Sequence, residues 1–156
     1  LHLMADIDLQ SLDWRNALRF FEQIRTLQPD DEKARRMLVD LNFRLNQPAQ
    51  ALGELDNYLA HLLSTAQHEK ALEAMMDLIT EYPDQAALHR RLAEIFRQHG
   101  QIKEAIEQLD ITGDIYLQVD NKAGAIEAVM AILALNPPNA EQYQQVLARL
   151  RAEQMR

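Results

Sequence analysis

Apolar residues recur along this chain at intervals of three and four. Between residues 67 and 83, Ala71, Leu72, Met75, Leu78 and Ile79 fall on one stripe, and between 121 and 137 so do Ala125, Ile126, Val129, Ile132 and Leu133. That period is the signature of an amphipathic helix with one buried face. Pro29, Pro83 and Pro137 follow the last turns of such segments, where a residue without an N–H cannot continue a helix. Asp30, Asp84 and Asn139 stand just beyond, placed to accept hydrogen bonds from the free N–H groups of the next helix. The pattern predicts antiparallel helices joined by very short turns.

The helical segments repeat. Residues 13–29, 67–83 and 121–137 align without gaps at an offset of 54, each with alanine at its fifth position and proline at its end. Residues 47–59 and 101–113 share the start of the pattern, so Ala17, Ala51, Ala71, Ala105 and Ala125 are separated by 34, 20, 34 and 20. The unit is therefore a 54-residue super-repeat of one full and one shortened part. A 20-residue spacing leaves no room for two helices, so one must serve both parts: residues 48–65, with Ala51, Leu55, Tyr58, Leu59 and Leu62, and residues 101–119, with Ala105, Leu109, Gly113 and Tyr116. Packing on both sides predicts that these helices are apolar over a wider arc and more buried than their neighbours. Residues 1–11 precede residues 55–65 by one step of 54, which makes them the second half of such a helix and places Trp14 beside a turn. Residues 139–156 carry Tyr143, Val146, Leu147 and Leu150 on one face and are otherwise polar, as a C-terminal capping helix requires.

Two stretches carry a family pattern: Leu92, Ala93, Phe96, Gly100 and Ala105 in RLAEIFRQHGQIKEAIEQL, and Gly113, Tyr116, Ala125 and Pro137 in GDIYLQVDNKAGAIEAVMAILALNP. In order and kind, these small, aromatic, turn, alanine and proline positions resemble the tetratricopeptide repeat. The resemblance implies an all-α fold, a right-handed antiparallel α-helical solenoid of about eight helices, formed by residues 1–156 as one domain. Under it, Ala17, Ala51, Ala71, Ala105 and Ala125 are the sites where helix backbones approach closely, and Phe96 and Tyr116 fill the space between helices. It also implies a non-catalytic protein–protein interaction scaffold that binds a peptide, a protein, or another domain of the parent chain on a surface lined by first helices. Three helices per super-repeat reverse the up-down sense of successive units, so a groove distorted or flattened from the family's regular form is expected.

The candidate binding residues lie on those first helices. His89, Arg90, Arg91 and Arg97 form a basic run, and Arg90, Glu94 and Arg97 share helical spacing, with Lys33 and Arg36 repeating the motif one unit earlier. Guanidinium groups so arranged hold peptide carboxylates by charge-assisted hydrogen bonds; the bland alternative is a solvated face paired with nearby acids. Asp40 and Glu94 stand where the family's chaperone-tail clamp has asparagine, which disfavours that partner. The rival role is a structural spacer or a self-associating segment forming homo-oligomers through apolar end surfaces.

Composition narrows the alternatives. Acidic residues outnumber basic ones 24 to 16, a formal charge of −8 that repels phosphate backbones, so nucleic acid is not the expected partner. With no cysteine there are no disulfides and no thiolate zinc sites, which suits the cytoplasm. No stretch reaches the roughly 18–20 uninterrupted apolar residues of a membrane span. A start at Leu1 rather than Met suits a segment of a longer protein. His2, His61, His68, His89 and His99 lack metal-ligand spacing, and pairs such as Asp110 with Asp114 read as a solvated helix face. Gly53, Gly100, Gly113 and Gly124 are isolated, and Ser11 and Ser64 lie in no nucleophile elbow. No catalytic residue, metal or cofactor is expected. Met75, Met76 and Met130 are read as core filling.

Overall fold

The computed structural model describes the backbone of residues 2–155 and the side chains of residues 12–155. Among the described residues there are eight helices and no strand: α1 His2–Leu27, α2 Glu32–Arg44, α3 Pro48–Ser64, α4 His68–Glu81, α5 Ala86–Gln98, α6 Ile102–Gln118, α7 Lys122–Ala134 and α8 Ala140–Gln154. Helices α2, α5 and α8 open at Glu32, Ala86 and Ala140, α3 and α6 at Pro48 and Ile102, and α4 and α7 at His68 and Lys122, each step being 54 residues. The chain forms two compact units, Leu1–Ala71 and Leu72–Arg156. The first holds α1 to α3 and the opening turn of α4; the second holds the rest of α4 and α5 to α8.

Short turns bring successive helices together. Asn46, Ala66, Gly100 and Asp120 take positive φ, at 57°, 59°, 76° and 55°. The next residue's N–H donates back across the turn: Gln47 to the Asn42 carbonyl, Gln67 to Leu62, Gln101 to Phe96 and Asn121 to Tyr116, each at 2.8 Å. This satisfies the last carbonyls of α2, α3, α5 and α6 and ends each helix within three residues of the next. Capping is shifted by one residue from the expected aspartates. Asp31, not Asp30, accepts from the Ala34 N–H at 2.9 Å. Gln85, not Asp84, caps α5, and without a side-chain bond. Asn139 occupies the cap of α8 but its amide donates to Gln142 Oε1 at 3.2 Å. The physical reason is linker length: the α1–α2 and α4–α5 connections hold four residues, which moves the cap one place on.

In the first unit Leu38 and Val39 of α2 and Ala51, Leu55 and Leu62 of α3 are wholly buried. In the second, Ala93, Leu109 and Ile132 form one core cluster, and Ala125, Ile126, Val129 and Leu150 form another. Thr112 is buried among them with its hydroxyl donating to the Gln108 carbonyl at 2.8 Å. The expectation that the shared helices are the most buried is corrected. Of seventeen residues α6 buries three, whereas α5 and α7 each bury six of thirteen. Contact on two seams spreads the apolar surface of α6, leaving Ile106, Ile115 and Tyr116 half-buried and Ile111 and Leu117 exposed.

Helices α6 and α7 approach closely at Gly124, which is itself buried. A β-carbon there would lie 2.7 Å from Tyr116 Cγ and 2.8 Å from both Cδ atoms, so the ring rests against bare backbone. Glycine is required at this position by contact, whereas at Gly100 it is the residue that adopts the left-handed φ of 76° with least strain.

The turn expected beside Trp14 is absent, because α1 runs unbroken from His2 to Leu27. One step of 54 before Ala66 stands Leu12, and a bulky L side chain is disfavoured in the left-handed conformation that such a turn needs. The helix continues instead. Trp14 is half-buried under the Arg44 guanidinium, 5.8 Å from its ring centre. The assignment of residues 1–11 to a shared helix concerns side chains outside the described residues.

Two stability effects follow. Ala66→Gly should raise the unfolding free energy by about 1 kcal/mol by relieving a left-handed alanine, measured by urea denaturation. Gly124→Ala should lower it by about 1–3 kcal/mol through overpacking, and adding Tyr116→Leu should recover part of the loss.

Candidate partner-binding cleft

Helix α5 has two faces. Ala86, Leu88, His89, Leu92, Ala93 and Ile95 are buried, while Arg90, Glu94 and Arg97, four and three residues apart, are exposed on one stripe. His89 fixes the buried side. Its Nε2 lies 2.9 Å from the Pro83 carbonyl, to which it donates, and its Nδ1 lies 2.8 Å from Gln108 Oε1. One side chain thus ties α5 to the α4–α5 turn and to α6.

The exposed stripe forms one wall of a cleft of about 610 Å³ within the second unit. Arg90, Arg91, Glu94 and Arg97 line that wall, Ala93 and Leu109 are at its base, and Ala131, Ala134 and Leu135 at the end of α7 form the other side. The small side chains of α7 keep the cleft open and apolar opposite the guanidinium groups.

The charges are paired but exchangeable. Arg97 donates twice to Glu94, Nε to Oε2 at 2.9 Å and Nη2 to Oε1 at 2.5 Å. That hydrogen bonding is the main reason the Glu94 carboxyl sits below the usual range, so Glu94 stays ionised. Arg90 Nη1 lies 3.7 Å from Glu127 Oε2 of α7. Both pairs are about half exposed, and such pairs contribute roughly 0–1 kcal/mol, little enough for an incoming carboxylate to replace them. Arg91 donates to the Ala87 carbonyl at 3.1 Å.

The structure thus brings Arg90, Glu94 and Arg97 together in one cleft. Lys33 and Arg36 lie on α2 in the other compact unit, Lys33 exposed and Arg36 half-buried. Of the packing positions, Ala51, Ala71, Ala105 and Ala125 are buried, Phe96 and Tyr116 are half-buried, and Ala17 is half-buried as well. Sequence reasoning missed the α7 wall, because Ala131 and Ala134 are ordinary helix formers and Leu135 an ordinary apolar residue until the fold sets them opposite α5. It also missed Glu127. The methionines divide, with Met75 in the core and Met76 and Met130 exposed; Met130 Sδ accepts from Arg151 Nη2 at 3.6 Å.

Away from the cleft, a polar pair joins two helices of the second unit. Asp110 accepts from the Tyr143 hydroxyl at 3.0 and 2.9 Å through its two oxygens, joining α6 to α8. Burial pushes the Asp110 carboxyl up, the Tyr143 bond opposes this, and the Asp114 and Glu107 charges add to the rise. Burial and the same hydrogen bond raise the Tyr143 phenol. Among the described residues no three His, Asp or Glu side chains are grouped so as to hold a metal ion, and no helix is long and apolar enough to cross a membrane.

Known proteins resemble this chain over parts of its length. Residues 60–112 match the model described as tetratricopeptide repeat. The Protein Smg homologs of Shewanella sp. strain ANA-3 and Shewanella oneidensis MR-1 are 31% and 33% identical over 90 residues, 57% of this chain. The chain spans about half the length, 55%, of these curated relatives. Among solved structures, the MamA RS-1 ArsTM double mutant is 17% identical with a TM-score of 0.47, covering 98% of this chain and 95% of that one. A thermophilic TPR protein of Thermus thermophilus is 17% identical with a TM-score of 0.34, covering 96% and 97%. The matched segment, running from the end of α3 through α4 and α5 into α6, is similar to the tetratricopeptide repeat, and the described residues around it are helical as well.

Proposed function

We propose that this chain is a non-catalytic interaction scaffold whose cleft between α5 and α7 receives an extended, carboxylate-bearing peptide of another protein or of another domain of its parent chain. The tetratricopeptide repeat, which residues 60–112 match, mediates protein–protein interaction in general. The observation that carries the finer reading is the juxtaposition of Arg90, Arg91 and Arg97 with an apolar wall of Ala131, Ala134 and Leu135 in a chain of net charge −8. Guanidinium groups supply direction and charge-assisted hydrogen bonds, and the alanines admit a backbone without steric conflict. Helix α8 acts as the cap of the second unit: Leu150 is buried, Tyr143, Val146 and Leu147 pack on the α7 core, and the opposite face is polar. The lack of cysteine supports a reducing compartment, the cytoplasm.

A catalytic reading of Asp110 has no support in its surroundings, since its partner is a phenol that fixes α8. Its raised value has a structural consequence. A carboxyl raised in the folded state contributes stability that is fully present below the unfolded value and is lost as pH rises through the folded one.

Substituting Arg90→Glu with Arg97→Glu should weaken capture of an acidic partner peptide by at least about tenfold while helicity by circular dichroism is unchanged, and Lys33→Glu should leave binding intact. Equal capture by the double variant would exclude this cleft. Carboxyl NMR should find Asp110 titrating above the ordinary aspartate value, and Tyr143→Phe should move it further upward by removing the bond that opposes the shift.

A further inference from the structure

The two acids that pair with the cleft's arginines come from different helices. Glu94 belongs to α5 and holds Arg97 three residues along the same helix, so that pair lies along one wall. Glu127 belongs to α7, and its Oε2 reaches Arg90 Nη1 of α5 at 3.7 Å. This second pair spans the cleft from wall to wall. Helical spacing fixes its place. Glu127, Ala131 and Ala134 stand at intervals of four and three on α7, and Arg90, Glu94 and Arg97 stand at the same intervals on α5. Because α6 reverses the chain twice between them, α5 and α7 run in the same sense. The Arg90–Glu127 pair therefore closes the N-terminal end of both stripes, with Arg97 and Ala134 about 10 Å further on at 1.5 Å of rise per residue.

The pair orients Arg90 more than it satisfies it. At 3.7 Å it is an ion pair and not a hydrogen bond, since charge-assisted bonds run about 2.7–2.9 Å. Arg90 can still make the shorter, two-pronged contact that a peptide carboxylate offers. The Arg90 and Glu127 side chains are 55% and 67% exposed, so Glu127 can swing into solvent without disturbing the core.

We propose that Glu127 is an internal competitor for Arg90, a residue that sets both the affinity of the cleft and its selectivity for anions. In the free protein its carboxylate holds the place that a peptide carboxylate takes in the complex, and binding releases it to solvent. A neutral side chain brings Arg90 no charge in exchange, so it leaves the bridge standing and the Arg90 end closed. An acidic side chain displaces Glu127 but gains only the difference between its own contact and the one it replaces, against repulsion from the displaced carboxylate. Docking is thereby kept reversible. This inference rests on the proposed role of the cleft and adds the residue that limits it.

Titration calorimetry tests it, with an end-blocked peptide of alternating glutamate and alanine as probe and its glutamine counterpart beside it. Glu127→Gln should raise affinity for the glutamate peptide roughly two- to fivefold, the range an exposed ion pair accounts for, and leave affinity for the glutamine peptide unchanged. The gain should vanish when Arg90→Gln is added. Asp13→Asn, which removes one exposed negative charge in the first unit, should not reproduce it. In carboxyl NMR of the wild type, the Glu127 signal should move on peptide addition towards its position in Arg90→Gln. An unchanged affinity in Glu127→Gln, a gain that persists without Arg90, or an equal gain for the glutamine peptide would overturn the inference while the cleft stood as the binding site. If neither the wild type nor Glu127→Gln bound the glutamate peptide, the reading of the cleft would fall and the inference with it.

Discussion

The rest of this structure depends on how closely consecutive helices approach after turns of only three residues. Such turns require a left-handed residue at each helix end, supplied by Asn46, Ala66, Gly100 and Asp120, and they leave no slack to separate bulky side chains. Ala51, Ala71, Ala105 and Ala125, all buried, and Gly124 under the Tyr116 ring are the response to that constraint. Where the left-handed residue is replaced by Leu12, the turn is lost and one long helix forms. The same rule thus accounts for both the regular hairpins and the exception.

Function inherits this geometry. Because α6 sits between α5 and α7 and contacts both, its short turns fix the separation of their outward faces. A cleft opens there, with Leu109 of α6 at its base. His89, held at both ring nitrogens, sets the rotation of α5 that presents Arg90, Glu94 and Arg97 outward. The arginine pairs are weak enough to be exchanged, which suits reversible docking better than permanent assembly.

Much of the fold was legible in the sequence because packing imposes a period. The stripes of α4 and α7, the small residues at 105 and 125 and the helix-ending prolines all report a buried face or a chain reversal. Less legible were features that depend on a single rotamer or on one residue of linker. The caps fell at Asp31 and Gln85 rather than Asp30 and Asp84, and α6 proved less buried than its neighbours despite its apolar composition. Of the cleft, the charged wall was visible as Arg90, Glu94 and Arg97. The opposite wall was not, since Ala131 and Ala134 are ordinary helix formers until the fold sets them across from arginine.

The central claim is that the cleft between α5 and α7 is the partner surface, and the most direct test is amide chemical-shift mapping of the isotope-labelled chain during titration with an acidic, extended peptide. The account predicts shifts concentrated at residues 90–97 of α5 and 131–135 at the end of α7. Shifts confined to the first unit, or to the outer face of α6 at Ile111 and Leu117, would contradict it.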